Sequence, residues 1–234
     1  REPMSRQTTW GVGGPADIYF RPESVDELRA FLADLDRDTP IHWTGLGSNL
    51  LVRDGGIRGV MIAPGRALGD MVRRSDHEVE AGAGVPCTSF ARRCARWRLG
   101  PAAFFGGIPG TIGGALAMNA GAFGGETWDS VVAVDTLDRD GRVRTRPRSD
   151  FTVGYRQVTG ADDEWFLAAR FEFVEQTERD VEAVRDLMRE RRQKQPLGLP
   201  SCGSVFKNPP GGHAAQLIES AGLKGERIGG AQVS

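Results

Sequence analysis

Phe105-Gly106-Gly107-Ile108-Pro109-Gly110-Thr111-Ile112-Gly113-Gly114-Ala115, running on through Met118-Asn119-Ala120-Gly121-Ala122-Phe123-Gly124, is the stretch on which the reading of this chain turns. Small residues at this density make a wall against which a flat, extended ligand can lie close to backbone amides. A helix starting near Thr111 would aim its first N–H groups at a diphosphate. The competing reading is a glycine-rich helix-packing segment. Each glycine inside a helix costs up to ~1 kcal/mol, however, and those costs would have to be offset.

Two further segments lie on either side of it. Gly45-Leu46-Gly47-Ser48-Asn49 follows a predicted strand, the position a phosphate cradle takes, and Ser48 adds a hydroxyl donor. Taken alone, the same residues suit an ordinary tight turn at a strand end. They are no dinucleotide fingerprint, because Leu50 stands where a third glycine belongs and Asp54 is too near to be the distant ribose-binding acid. No G-x-x-x-x-G-K-[ST] motif occurs, which argues against a P-loop nucleotide hydrolase. Downstream, Ser201-Cys202-Gly203-Ser204-Val205-Phe206-Lys207-Asn208-Pro209 sets two serines, a lysine and an asparagine on a predicted strand between two prolines. A polar edge strand is the plain alternative.

Composition narrows the classes of function. Among 234 residues, 30 basic side chains face 31 acidic ones for a formal net charge of -1, which argues against a general nucleic-acid binder. Only three of the basic residues are lysine, Lys194, Lys207 and Lys224, and all three fall late in the chain. In a chain that otherwise uses arginine, a retained ammonium suggests that a compact point charge is wanted there. The 32 glycines are about twice the usual ~7% share. No run of ~18 apolar residues predicts a membrane span. No signal peptide opens the sequence, and Arg1 in place of Met suggests a trimmed N-terminus. Cys87, Cys94 and Cys202 match no zinc spacing, so no metal and a reducing, cytoplasmic compartment are expected.

The pattern of elements is mixed. Ile18 to Phe20 reads as a strand, followed by a capping box from Ser24 to Glu27 and a helix carrying Leu28, Phe31, Leu32 and Leu35. Strands are predicted at Ile41 to Thr44 and Val60 to Ala63, then Glu78 to Gly84 as a strand leading to a glycine turn, then a helix from Pro86 to Trp97. Ser130 to Leu137 and Arg142 to Arg146 form a predicted hairpin around Asp140-Gly141, and Phe166 to Val174 another strand. Thr177 to Lys194 reads as a charged helix, capped at Asp180 and stopped by Pro196, and Ala214 to Ala221 as a small one. Hairpins in mixed order predict α+β rather than a doubly wound parallel sheet.

The three segments, in this order, resemble the UDP-N-acetylenolpyruvoylglucosamine reductase (UDP-N-acetylmuramate dehydrogenase) family. The resemblance extends over Thr8 to Ala16, Gly45 to Gly56, Gly106 to Gly124, Gly154-Tyr155-Arg156, Lys194-Gln195-Pro196, Ser201 to Pro209 and Gly222 to Ser234. It implies a vanillyl-alcohol-oxidase-like (PCMH-type) α+β fold, with FAD-binding subdomains over 1–68 and 69–176 and a substrate domain over 177–234. By that likeness Gly45, Leu46, Gly47, Ser48, Asn49 and Leu50 hold FAD together with Ile108, Pro109, Gly110, Thr111, Gly113 and Gly114, while Asn119, Ala120 and Gly121 lie along it. His42, His77 and His213 are not where a covalent flavin link is expected, so the FAD is noncovalent.

The implied reaction takes hydride from NADPH through flavin N5 to the enolpyruvyl ether of UDP-N-acetylglucosamine enolpyruvate, within peptidoglycan precursor synthesis. The family places Arg156 on the charge that develops at the carboxylate side, and Ser204 as the proton donor. Tyr155, Lys194, Lys207, Asn208 and Lys224 match positions on the UDP-sugar side, with Lys207 also able to hold the Ser204 hydroxyl. The short interval from Arg156 to Lys194 matches the subclass without a tyrosine-bearing substrate loop. A catalytic glutamate expected downstream of Ser234 has no counterpart in Glu219 or Glu226, so the sequence reads as a fragment. A monomer is expected. Two alternatives stand beside this reading: a non-catalytic flavin-binding fragment, and a same-fold flavin oxidoreductase acting on another small acid.

Overall fold

The computed structural model describes residues 1–178, 182, 186, 189, 200–201 and 203–233. Two compact units result, Arg1–Cys202 and Gly203–Ser234. The first opens with strands β1 (Glu2–Pro3), β2 (Pro15–Phe20), β3 (Ile41–Trp43) and β4 (Ile57–Ile62) and helix α1 (Val25–Asp34). These strands form a sheet ordered β1-β2-β4-β3, in which β4 runs parallel to both of its neighbours. Ser24 caps α1 by accepting from the Glu27 amide. The reciprocal bond expected of a capping box goes one residue further back, since the Glu27 carboxylate takes the Glu23 amide at 2.6 Å.

Next come β5 (Met71–Arg73), β6 (Glu78–Gly82), α2 (Cys87–Trp97), β7 (Leu99–Gly100), α3 (Ile112–Met118), β8 (Gly121–Ala122) and β9 (Gly125–Glu126). They are followed by β10 (Val131–Asp138), β11 (Val143–Pro147), β12 (Thr152–Gly154), β13 (Gln157–Thr159), β14 (Glu164–Glu172) and β15 (Val174–Glu175). The second sheet, β11-β10-β14-β6-β5, is antiparallel throughout. Val79 and Ala81 on β6, with Leu167, Ala169 and Phe171 on β14, alternate inward as a half-buried sheet requires. Helix α2 turns Cys87, Phe90, Ala91 and Cys94 into the same core, at the 3–4–7 spacing of one helical face. Phe90 packs edge-on against Phe105 at 4.8 Å, so that core reaches to the start of the glycine segment. A second core joins Leu28 and Leu32 of α1 to Val60 and Ile62 of β4 and to Leu137 and Leu167 of the second sheet.

The second unit holds α4 (Ala214–Ser220) and a hairpin of β16 (Arg227–Ile228) with β17 (Ala231–Gln232). Of the predicted Thr177 to Lys194 helix, Glu178, Glu182, Asp186 and Arg189 are helical; Asp180, Lys194 and Pro196 lie outside the described residues. The strand expected between Ser201 and Pro209 does not form among the described residues there. A strand is held by a ladder, and Pro209 has no amide to give one, while Asn208 turns its side chain to the local α4 terminus.

Candidate functional site

The fold sets the two glycine segments against each other through residues that lie more than sixty positions apart in sequence. The loop after β3 begins at Gly45, and a Cβ built on Gly45 would fall 2.4 Å from Oγ1 of Thr111. A Cβ on Gly110 would stand 3.4 Å from the Ser48 Oγ. Glycine at 45 is what lets the two segments close on one seam, whereas a Cβ at 110 would make only an ordinary contact. Gly47, at φ +64, presses on the opposite side against the carbonyl of Gln7, and its own carbonyl accepts from the Thr9 amide at 3.1 Å. The Thr9 hydroxyl donates in turn to the Ser201 carbonyl, so the opening motif and the start of the third segment meet at this loop.

The seam is accessible and chemically simple. Gly45, Leu46, Asn49, Pro109 and Gly114 are exposed, Ser48 and Leu50 half-buried, and Thr111 and Ile108 buried; none of them is acidic. The helix-terminus expectation needs adjustment here. Thr111 is the N-cap of α3, but the Ile112 and Gly113 amides donate to the carbonyls of Val85 and Ala83 at 2.9 and 2.8 Å. Those two donors are engaged by the protein, and Gly113 is small because a Cβ there would meet that of Ala83 at 2.9 Å. The chemistry left for an anion is the Ser48 and Thr111 hydroxyls and the backbone of the Gly45 and Gly110 turns.

At the other end of α3, Asn119 terminates the helix in the left-handed region, φ 43. The residue is 4% exposed, and both its amide nitrogen and its amide oxygen find partners within the protein. Nδ2 donates to Glu126 Oε2 at 2.7 Å and to the Gly154 carbonyl at 3.3 Å, and Oδ1 accepts from the Trp128 amide at 3.2 Å. Ala120 is half-buried and donates to the Ala115 carbonyl at 2.9 Å, and exposed Gly121 opens the short β8–β9 hairpin. Gly154 ends β12, and the two residues joining it to β13 are Tyr155 and Arg156. Arg156 sits at φ +52, a conformation costing roughly 1–2 kcal/mol for a residue with a Cβ. Its guanidinium carbon lies 5.9 Å from the centre of the Tyr155 ring, and Tyr155 is exposed. The base of the same hairpin is fixed by Phe151, which packs on Trp128 at 4.8 Å.

In the second unit, Ser204, Lys207, Asn208 and Lys224 are all exposed. The Asn208 Oδ1 accepts from the Ala214 amide at 3.1 Å, satisfying a donor at the start of α4. Lys224 stands 3.8 Å from Glu219 in an exposed pair. Glu126 and Trp128 escaped the sequence reading. Their signal was the spacing Glu126-Thr127-Trp128-Asp129, a reciprocal cap in which the Glu126 amide donates to Asp129 at 2.9 Å.

Other ionisable groups serve the scaffold. Burial pushes the Cys87 and Cys94 thiols up to about 12, which keeps them protonated and inert. The Glu164 carboxyl is held down to about 2, chiefly by its hydrogen bonds from Arg146, with Thr136 and Arg144 adding to them. Among the described residues, no group of three or more His, Cys, Asp or Glu could hold a metal ion, and no helix is long and apolar enough to cross a membrane.

The fold is that of an FAD-binding protein: residues 16–146 match the family described as FAD binding domain. Residues 195–234 match the UDP-N-acetylenolpyruvoylglucosamine reductase C-terminal domain. Over all 234 residues the chain is 54% identical to the UDP-N-acetylenolpyruvoylglucosamine reductase of Alkalilimnicola ehrlichii, spanning 78% of that protein. It is 49% identical to that of Legionella pneumophila strain Paris, again over the whole chain and 77% of the relative. A crystal structure of UDP-N-acetylenolpyruvylglucosamine reductase (MurB) from Thermus caldophilus aligns with TM-score 0.88 at 31% identity, covering 99% of this chain and 83% of that one. The chain belongs to the UDP-N-acetylenolpyruvoylglucosamine reductase family. It is an FAD-dependent oxidoreductase of α+β fold.

Proposed function

We propose that this chain reduces the enolpyruvyl group of UDP-N-acetylglucosamine enolpyruvate to give UDP-N-acetylmuramate, with NADPH as the hydride source. Bound FAD supplies the two-electron relay between the two substrates. The reading is carried by one observation: two glycine turns close into a single backbone-lined seam on the same helix whose far end holds the Arg156 hairpin. The seam suits a diphosphate, because Gly45 lets the two turns meet, the Ser48 and Thr111 hydroxyls can donate, and none of these residues is a carboxylate that would oppose the charge. Asn49, Leu50, Ile108, Pro109, Gly114, Ala120 and Gly121 complete the walls.

Arg156 binds the substrate carboxylate and stays charged while negative charge develops on the neighbouring carbon. Its fork offers paired donors in fixed orientation, and the exposed Tyr155 ring flanks it. Ser204 then delivers a proton to that carbon; a hydroxyl is a weak acid in water but adequate toward a basic enolate at close range. Lys207, Asn208, Lys224 and Lys194 bind the UDP-sugar, lysine serving its diphosphate as a point charge. In domain terms, residues 1–68 and 69–176 hold the flavin and 177–234 the substrate. The enzyme works as a cytoplasmic monomer in peptidoglycan precursor synthesis, without nucleic-acid or membrane partners, consistent with its near-neutral charge.

The test separates the half-reactions. Ser204→Ala is expected to leave flavin reduction by NADPH intact while blocking reoxidation by UDP-N-acetylglucosamine enolpyruvate. Equal loss of both would remove Ser204 from the proton-donor role.

A further inference from the structure

We infer that Asn119 is a positioning residue for Arg156, acting through the Gly154 carbonyl, rather than a contact of the flavin. The inference rests on the assignment of Arg156 to the substrate carboxylate. Its basis is the completeness of the Asn119 hydrogen bonding. A primary amide has two N–H donors, and here they reach Glu126 Oε2 and the Gly154 carbonyl; the amide oxygen is occupied by the Trp128 amide. With the residue 4% exposed, Asn119 has neither a spare donor nor an open face to offer a cofactor.

The geometry instead links two parts of the site. The Gly154 carbonyl is the last acceptor before the Tyr155-Arg156 turn, so a bond there fixes the direction in which the turn leaves β12. That turn carries Arg156 in a left-handed conformation, which persists only where the surroundings over-determine it. Two anchors supply the determination, and both come from the segment that follows α3. One is the Asn119 bond at the tip side; the other is the Trp128–Phe151 ring contact at the base. Trp128 is itself fixed by donating its indole N–H to the Leu116 carbonyl of α3 at 2.8 Å. Glu126 orients the Asn119 amide, and is held in turn by its cap with Asp129.

Asn119→Gly tests this, because glycine keeps the left-handed backbone at φ 43 while deleting the side chain and its amide. Misplacing a reacting-centre contact by even 1 Å can cost on the order of 100-fold. In the full chain, Asn119→Gly is expected to slow flavin reoxidation by substrate about ten- to hundredfold, while FAD affinity and the rate of flavin reduction by NADPH stay within about twofold. In an Arg156→Gln background, adding Asn119→Gly is expected to cost nothing further, since the positioned group is gone. A variant carrying Asn119→Asp with Glu126→Gln restores a donor–acceptor pair between those two side chains but not the bond to Gly154. It is expected to recover thermal stability without recovering reoxidation, a split that a purely structural role does not produce. Three results overturn the inference: weakened FAD binding in Asn119→Gly, additive losses with Arg156→Gln, or reoxidation restored together with stability in the paired variant. If Arg156→Gln alone leaves reoxidation unchanged, the Arg156 assignment itself fails, which that single variant reveals without reference to Asn119.

Discussion

Gly45→Ala adds one carbon at the seam between the two glycine turns, and its consequence can be worked from the distances. The new Cβ would lie 2.4 Å from Thr111 Oγ1, 3.0 Å from Cγ2 and 3.2 Å from Cβ, where ordinary contact begins near 3.4 Å. Thr111 cannot turn aside easily, being β-branched and 5% exposed. Gly45 does not occupy the left-handed region, so alanine brings no backbone strain and the effect is steric alone. Relief therefore takes roughly 1 Å of separation between the Gly45 and Thr111 backbones, and overpacking of this kind costs about 1–3 kcal/mol. We expect FAD affinity, followed by quenching of flavin fluorescence on titration into apoprotein, to fall at least tenfold, about 1.4 kcal/mol. Thr111→Ala in the same chain removes the two closest atoms and leaves only the 3.2 Å contact, so the double variant should bind better than the two single losses predict. Wild-type affinity in Gly45→Ala, or additive losses in the pair, would refute the claim that this seam is the cofactor cradle.

Three further outcomes follow from the same geometry. Glu164 titrates near 2 in the folded chain against about 4.5 unfolded, so its contribution is present above pH 4.5 and lost as pH falls toward 2. Glu164→Gln should cost roughly 1–3 kcal/mol at neutral pH, allowing for partly exposed arginine partners, and flatten the acid limb of a denaturation series; an unchanged limb would remove Glu164 as its cause. Arg156→Gly should abolish substrate-driven reoxidation while leaving stability unchanged or raised by up to ~1 kcal/mol, because glycine relieves the left-handed φ; a marked fall in melting temperature would contradict this. Cys87 and Cys94 should resist alkylation in the native protein at pH 8 and react only on unfolding, which mass mapping of the labelled peptides would check.

What sequence could reveal here depended on whether the signal was local. The helix expected from Pro86 to Trp97 forms as α2, because the 3–4–7 spacing of Cys87, Phe90, Ala91 and Cys94 is a property of one segment. Likewise Asp140-Gly141 announced the β10–β11 hairpin, with Gly141 at φ 76. Both glycine segments also drew attention to themselves, but their contact did not. That contact depends on Gly45 and Thr111 meeting across the fold, a long-range event with no local pattern. Asn119 is a case of the same kind: burial and three hydrogen bonds tie it to Gly154, Glu126 and Trp128, partners that no local pattern names. The Ser201 to Pro209 segment differs again: its place between two prolines suggested a strand, yet pairing requires a neighbour that the sequence cannot name.

The central claim is that flavin held at the Gly45–Thr111 seam passes NADPH-derived hydride to an enolpyruvyl ether. Its most direct test is a single-turnover experiment on anaerobic, NADPH-reduced enzyme mixed with UDP-N-acetylglucosamine enolpyruvate. Rapid return of the oxidised flavin band, with one UDP-N-acetylmuramate formed per flavin, is the predicted result. A flavin that stays reduced in the presence of excess enolpyruvyl substrate would contradict the account.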